Sequence, residues 1–138
     1  SRLQPVKRPD LFIRAAILFL ERHPDHDGVF RLVCNGWDRT FVDGLKSLVP
    51  DAMVERILFL ENATPPERLR LIDNAIVVVP SDYESLCLFA FEAALAGRKV
   101  ILNAVCPAFG NDFRWHDGDN CVLFDGSVES LTDAMERA

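Results

Sequence analysis

The chain has 138 residues, 15 Lys and Arg against 21 Asp and Glu for a formal charge of −6, and 49% apolar composition. A chain of this size buries roughly two-thirds of the surface its unfolded form exposes, enough for one core without a disulfide or metal staple. The acidic balance, with Lys7-Arg8 the only basic cluster, argues against a nucleic-acid surface or a polybasic membrane contact.

Pro9 and Asp10 open a helical stretch that runs to about Arg22, since proline fits a first helical turn and an acidic residue suits its positive end. The apolar residues from Leu11 to Leu20 surround most of its axis, so more than one face should be covered. We expect a partner domain or a second copy to cover part of it. Val29 to Cys34 reads as a short strand ending at Asn35-Gly36. Behind a candidate cap, Asp38, the residues Phe41, Val42, Leu45, Leu48 and Val49 fall at helical spacing. A second strand spans Arg56 to Leu60. Thr64-Pro65-Pro66-Glu67 then carries a capping box, which predicts a helix over residues 65–73.

Ala75 to Val79 is nearly all β-branched and stops at Pro80-Ser81, as a strand buried on both faces of a parallel sheet would. A helix is expected from about Ser85 to Ala96, ended by Gly97. A strand follows over Lys99 to Asn103, then a loop over 104–120, a last strand over Cys121 to Phe124 and a closing helix capped by Ser127. Strands and helices alternate with short connections, which predicts a single domain of the α/β class built on a doubly wound parallel sheet with helices on both faces.

Cys34, Cys87, Cys106 and Cys121 form no Cys-x-x-Cys pair and mostly lie in apolar runs, which reads as reduced, buried thiols in a cytoplasmic protein. The longest apolar run, Ala15 to Leu20, is far below the about 20 residues of a membrane span. The abrupt start at Ser1 and the stop inside a helical pattern suggest a domain excised from a longer chain, and peripheral membrane contact of that longer protein stays open.

In a doubly wound sheet, ligands sit beyond the carboxyl ends of the strands. Neither the dinucleotide Gly-x-Gly-x-x-Gly nor the P-loop Gly-Lys-Ser/Thr is present, and Leu60 leads into Glu61-Asn62 and not into the phosphoacceptor Asp that a receiver domain would want. What remains is Glu84 and Glu92, spaced Glu-x7-Glu across the expected helix start. Free amides there can receive phosphate oxygens, and a carboxylate can accept paired hydrogen bonds from vicinal sugar hydroxyls, a combination that suits a nucleotide sugar. Taken alone, the two acidic residues are read more simply, Glu84 as an acidic first-turn residue and Glu92 as a solvated helix position.

The residues Arg2-Leu3-Gln4-Pro5-Val6-Lys7, the stretch from Pro80 to Gly97 and the closing Asn120 to Asp125 together resemble the C-terminal, donor-binding domain of retaining GT-B glycosyltransferases, the large group 1, family-4-like class. The resemblance covers nearly the whole chain and implies a Rossmann-like half of a two-domain enzyme. It implies hexose transfer from a nucleoside diphosphate sugar, such as a UDP- or GDP-hexose, to a hydroxyl acceptor held by a missing N-terminal domain. It further implies that Arg2 and Lys7 neutralise the diphosphate, that Glu84 contacts the transferred sugar and that Glu92 holds the ribose. Ser85, Leu86, Cys87 and Leu88 at the expected helix start, and Gly36 after the first strand, join Glu92 as donor-binding candidates. No cofactor or metal is implied, because cationic side chains and helix dipoles stabilise the diphosphate in this class.

The chain departs from the family pattern in three places. Phe59-Leu60-Glu61 stands for the usual Phe-Leu-Gly, so no base contact is assigned there. Residues 104–114 replace a Gly-Gly and an acidic residue, which leaves sugar and phosphate contacts there unassigned. Cys87 stands where a small residue is usual and reads as packing, since no histidine pairs with it in sequence. Asp25, His26 and Asp27 read as a polar loop in preference to a metal site, and Trp115 to Gly118 as a surface turn. A nucleotide-sugar epimerase of the same fold and a non-catalytic nucleotide-sugar-binding or interaction module remain open beside the transferase.

Overall fold

Helix α1, Pro9–Arg22, leads into a parallel strand, β1, Phe30–Val33, and the alternation then continues to the end of the chain. The remaining α-helices and strands are α2 Arg39–Lys46, β2 Ile57–Leu60, α3 Pro65–Leu71, β3 Ile76–Val79, α4 Leu88–Leu95, β4 Lys99–Asn103, α5 Pro107–Gly110, β5 Val122–Phe124 and α6 Val128–Arg137. The computed structural model describes residues 5–111 and 114–138.

Local chemistry accounts for the helix starts. The Asp38 carboxylate accepts from the Phe41 amide at 3.1 Å, and Ser127 Oγ accepts from the Ser130 amide at 3.1 Å. At α3 the capping box is complete: Thr64 Oγ1 accepts from the Glu67 amide, and Glu67 Oε2 accepts from the Thr64 amide.

All strand pairs among the described residues are parallel, and they form two sheets: β1 with β2, and β3-β4-β5. Among the described residues no ladder joins β1 to β3, so the expected doubly wound sheet is in two blocks. Between them lies a cleft of about 1190 Å³, lined by both strands, by Phe12 and Phe19, and at one end by Lys7 and Glu84. On this edge β3 departs from its expected burial on both faces, and Ile76 is 45% exposed.

The period-2 alternation of the central strands sorts the core into two layers. Val100 and Leu102 of β4 join Val77 and Val79 beneath Ala90 and Ala93 of α4, with Phe109 and Trp115 completing that side. Ile101 and Phe124 point to the opposite face, against Leu11, Phe12 and Ile13 of α1 and Leu131, Ala134 and Met135 of α6. Helices therefore cover both faces of β3-β4-β5, as a Rossmann-like arrangement requires.

Helix α6 also accounts for the unusually wide apolar surface of α1. Residues 11–13, 15, 16, 19 and 20 are buried within the chain itself, which corrects the expectation that a partner or second copy covers part of this helix. The paired helices are latched at their ends. Arg22 donates to Asp133 and Glu136, and His23 Nε2 lies 2.5 Å from Glu136 Oε2.

The long loop before β5 holds the short α5, which the sequence pattern does not announce. Gly110 closes α5 tightly: a Cβ there would stand 1.9 Å from the Ala104 carbonyl oxygen. The turn reading of Trp115 to Gly118 holds for His116 to Gly118, where Asp117 accepts from the Leu123 amide, but Trp115 itself is buried against Phe91 at 4.7 Å. His26 is a loop residue, accepting from the Gly28 amide and set edge-on to Phe19. Among the described residues no three His, Cys, Asp or Glu side chains gather where they could hold a metal ion, and no helix is long and apolar enough to cross a membrane.

Candidate functional site

Strand β3 ends at Val79, and the next five residues build the site. Asn103, fully buried at the end of β4, donates from Nδ2 to the Pro80 carbonyl at 3.2 Å and accepts at Oδ1 from the Val105 amide at 3.0 Å. One side chain thus holds the loops leaving two neighbouring strands. Ser81, 1% exposed, turns its hydroxyl toward Glu84 and donates to Oε1 at 2.9 Å. The same oxygen accepts from Lys7 Nζ at 2.8 Å, with the Glu84 side chain 14% exposed and that of Lys7 37%.

Lys7 and Glu84, 77 residues apart in the chain, are therefore in contact. Lys7 arrives on a short 3-10 turn, Pro5–Lys7, that runs into α1 and lies against the loop after β3, where the Asp82 amide donates to the Val6 carbonyl at 2.9 Å. Arg2 lies outside the described residues.

Helix α4 starts at Leu88, three residues later than the sequence pattern suggests. Cys87, half-buried, takes a left-handed backbone at φ 59°, which breaks any right-handed path from Ser85. Ser85 and Leu86 are thus loop residues, and Leu88 holds the first helical position. By helix geometry, the first amides of α4 have no partner within the helix. Leu88 and Phe89 are exposed there, beside the cleft that also meets Lys7, Glu84 and Cys87. Glu84 is not a first-turn residue, since it precedes the helix by four positions. Glu92 is exposed on α4 only about one turn in, roughly 6 Å along the axis from Leu88, where a helix begun at Ser85 would put it about two turns in. Gly36 sits at φ 71° in the turn after β1, with open space around its Cα.

Two further contacts escape any reading of the sequence. Asn35 clamps the loop after β1 to the loop after β2, donating to the Ala63 carbonyl and accepting from the Ala63 amide. Glu61, standing where the family pattern has glycine, accepts from Lys46 at 3.1 Å and lies 2.5 Å from an Arg39 nitrogen. The hydrogen bond from Lys46 and then the contact with Arg39 hold its carboxyl below the usual range. The four thiols are free, and burial raises all of them, Cys121 from 9.0 to about 11. At neutral pH each is a protonated packing group, in keeping with the reading of Cys87.

The family model described as "Glycosyl transferases group 1" matches residues 1–138. The chain belongs to the group 1 glycosyl transferases. Among curated proteins it is 35% identical over 132 residues to a D-inositol 3-phosphate glycosyltransferase of Acidothermus cellulolyticus, covering 91% of this chain and 29% of that protein. It is also 35% identical over 142 residues to the one from Corynebacterium aurimucosum, covering 99% of this chain and 33% of that protein. The chain therefore spans about a third of the length of these relatives. Among solved structures, the C-terminal domain of a group 1 glycosyl transferase from Francisella tularensis superposes with a TM-score of 0.77 at 25% identity, covering 96% of this chain and 69% of that one. TarM superposes with a TM-score of 0.78 at 25% identity, covering 99% of this chain and 26% of that one. These superpositions place the chain on the GT-B C-terminal domain. On that domain, Lys7, Glu84, Cys87 and Leu88 come together at the carboxyl end of β3, while Glu92 stands further along α4 and Gly36 belongs to the loop after β1.

Proposed function

We infer that this group 1 glycosyl transferase chain is the donor-binding half of a retaining enzyme that moves a hexose from a nucleoside diphosphate sugar to a hydroxyl acceptor. The observation that carries this reading is the contact of the Lys7 ammonium with the Glu84 carboxylate at the carboxyl end of β3, beside the start of α4. Lys7, with Arg2, neutralises charge as the diphosphate leaves, and the first amides of α4 add fixed partial charge at the phosphates. Glu84, steadied by Ser81, accepts from hydroxyls of the sugar and orients it toward the acceptor. Glu92, on α4 itself, accepts from the ribose hydroxyls. Catalysis on this reading is positioning plus electrostatic stabilisation, with the acceptor held by a second domain.

The curated relatives are named for D-inositol 3-phosphate, so a phosphorylated polyol is the first acceptor to assay with the longer protein. Calorimetry or ligand-detected NMR on the 138-residue chain with UDP, GDP and their hexose derivatives tests the donor site. Weak binding is expected from one wall of a cleft, and silence toward all of them at millimolar concentration refutes the reading. Turnover by this chain alone should be near background, and robust transfer would refute the two-domain mechanism.

A further inference from the structure

Arg8 follows Lys7 directly, yet the donor reading gives it no role. Its backbone is left-handed, at φ 51°, a conformation that a residue with a Cβ keeps only where its surroundings hold it. Two carboxylates do so. Arg8 Nε and Nη2 donate to the two oxygens of Asp10, each at 3.1 Å. Arg8 Nη1 donates to both oxygens of Asp82, each at 3.3 Å. Asp10 belongs to the first turn of α1 and Asp82 to the loop after β3. One planar guanidinium therefore joins the helix that follows the Lys7 turn to the loop that carries Glu84, a task that suits a rigid five-donor fork and not a lysine.

The same junction is fastened twice more, by the Asp82 amide on the Val6 carbonyl and by Lys7 on Glu84. An isolated ion pair at this exposure, with the Arg8 side chain 31% accessible, would contribute little by itself. Its effect here comes from what it orders. The residue on its amino side is the lysine, and the residue two past its partner Asp82 is the glutamate.

We propose that Arg8 is a positioning residue whose fork, shared between Asp10 and Asp82, locks the Pro5–Lys7 turn onto the loop after β3 and so sets the Lys7 ammonium where a donor diphosphate arrives. The proposal rests on the donor reading of Lys7, and Arg8 acts through that lysine without touching the nucleotide.

Two variants of the 138-residue chain test it. Arg8→Gly removes the fork and suits the left-handed backbone, and Asp82→Asn keeps the size of the loop residue while removing its charge. Hydrogen exchange at the Asp82 amide should quicken about tenfold in both, with the amides of Val100 to Leu102 unchanged, because a local tie and not the fold has been cut. Unchanged exchange at Asp82 overturns the proposal whatever the ligand. Titration with UDP and GDP should show Arg8→Gly binding about three- to tenfold more weakly, and no further loss when Arg8→Gly is added to Lys7→Ala. Additive losses in that cycle overturn the action through Lys7. If the unaltered chain binds neither nucleotide, the donor reading has failed, and the positioning role falls with it even where the exchange result upholds the tie.

Discussion

Glu84→Gln probes the contact on which the site is built. The substitution keeps the shape of the side chain and a carbonyl oxygen for Ser81 and Lys7, so only charge is removed. The Ser81 bond passes from a charged acceptor, about 1.5–3 kcal/mol net, to a neutral one, about 0.5–1.5 kcal/mol, a loss of about 1 kcal/mol, while Lys7 keeps its own charge. The 37% exposure of Lys7 argues against more. At roughly 2.1 cal/mol/K of unfolding entropy per residue, the chain loses about 3 °C in Tm for that amount. Binding should move the other way for the bare nucleotide. Glu84 neutralises Lys7 at 2.8 Å, so a diphosphate competes with it for the ammonium. Freeing the lysine should strengthen binding of UDP or GDP about two- to fivefold, while the preference for the sugar-bearing form falls. Thermal unfolding and calorimetry of Glu84→Gln, Lys7→Met and the double variant close a cycle. A coupling in stability below about 0.2 kcal/mol, or equal weakening of both ligand types by Glu84→Gln, refutes the reasoning.

Glu92→Gln should weaken bare and sugar-bearing nucleotides alike, by about tenfold through loss of charge-assisted bonds to the ribose, and titrations indistinguishable from the unaltered chain would remove Glu92 from the site. Gly110→Ala forces a Cβ toward the Ala104 carbonyl and should cost about 1–3 kcal/mol in urea unfolding, with an unchanged midpoint arguing that the loop yields freely. Thr64→Ala removes one half of the α3 capping box and should cost about 1 kcal/mol, read from the same urea midpoint. The Cys121 thiol holds its proton more tightly folded than unfolded, so its contribution is fully present below pH 9 and is lost as pH rises through about 11. Stability measured between those limits should fall by about 2–3 kcal/mol from this thiol, and more shallowly in Cys121→Ala; equal slopes would show that the thiol is not desolvated.

The element order and most boundaries of this protein are written in short stretches of sequence, because their causes act over a few residues. Pro9 with Asp10 starts α1, Thr64 with Glu67 starts α3, Ser127 starts α6, and a β-branched run marks β3. The pairing of Glu84 with Glu92 and the placing of Lys7 near the chain start were legible as a pattern. Their contacts were not. Lys7 meets Glu84 across 77 positions, Asn103 reaches Pro80 across 23, and Asn35 clasps Ala63 across 28.

The start of α4 shows the limit most plainly. Propensity carries a helix through Ser85, but the left-handed Cys87 and the anchoring of Glu84 by Ser81 and Lys7 hold residues 85–87 out of it. The wide apolar face of α1 called for a second cover, and only the packed chain shows that α6 supplies it. Periodicity, caps and prolines thus determined what each segment becomes, since those energies are local. Which side chains share a carboxylate or close a face was decided by the assembled sheet ladders, since only packing brings together groups that the chain keeps tens of residues apart.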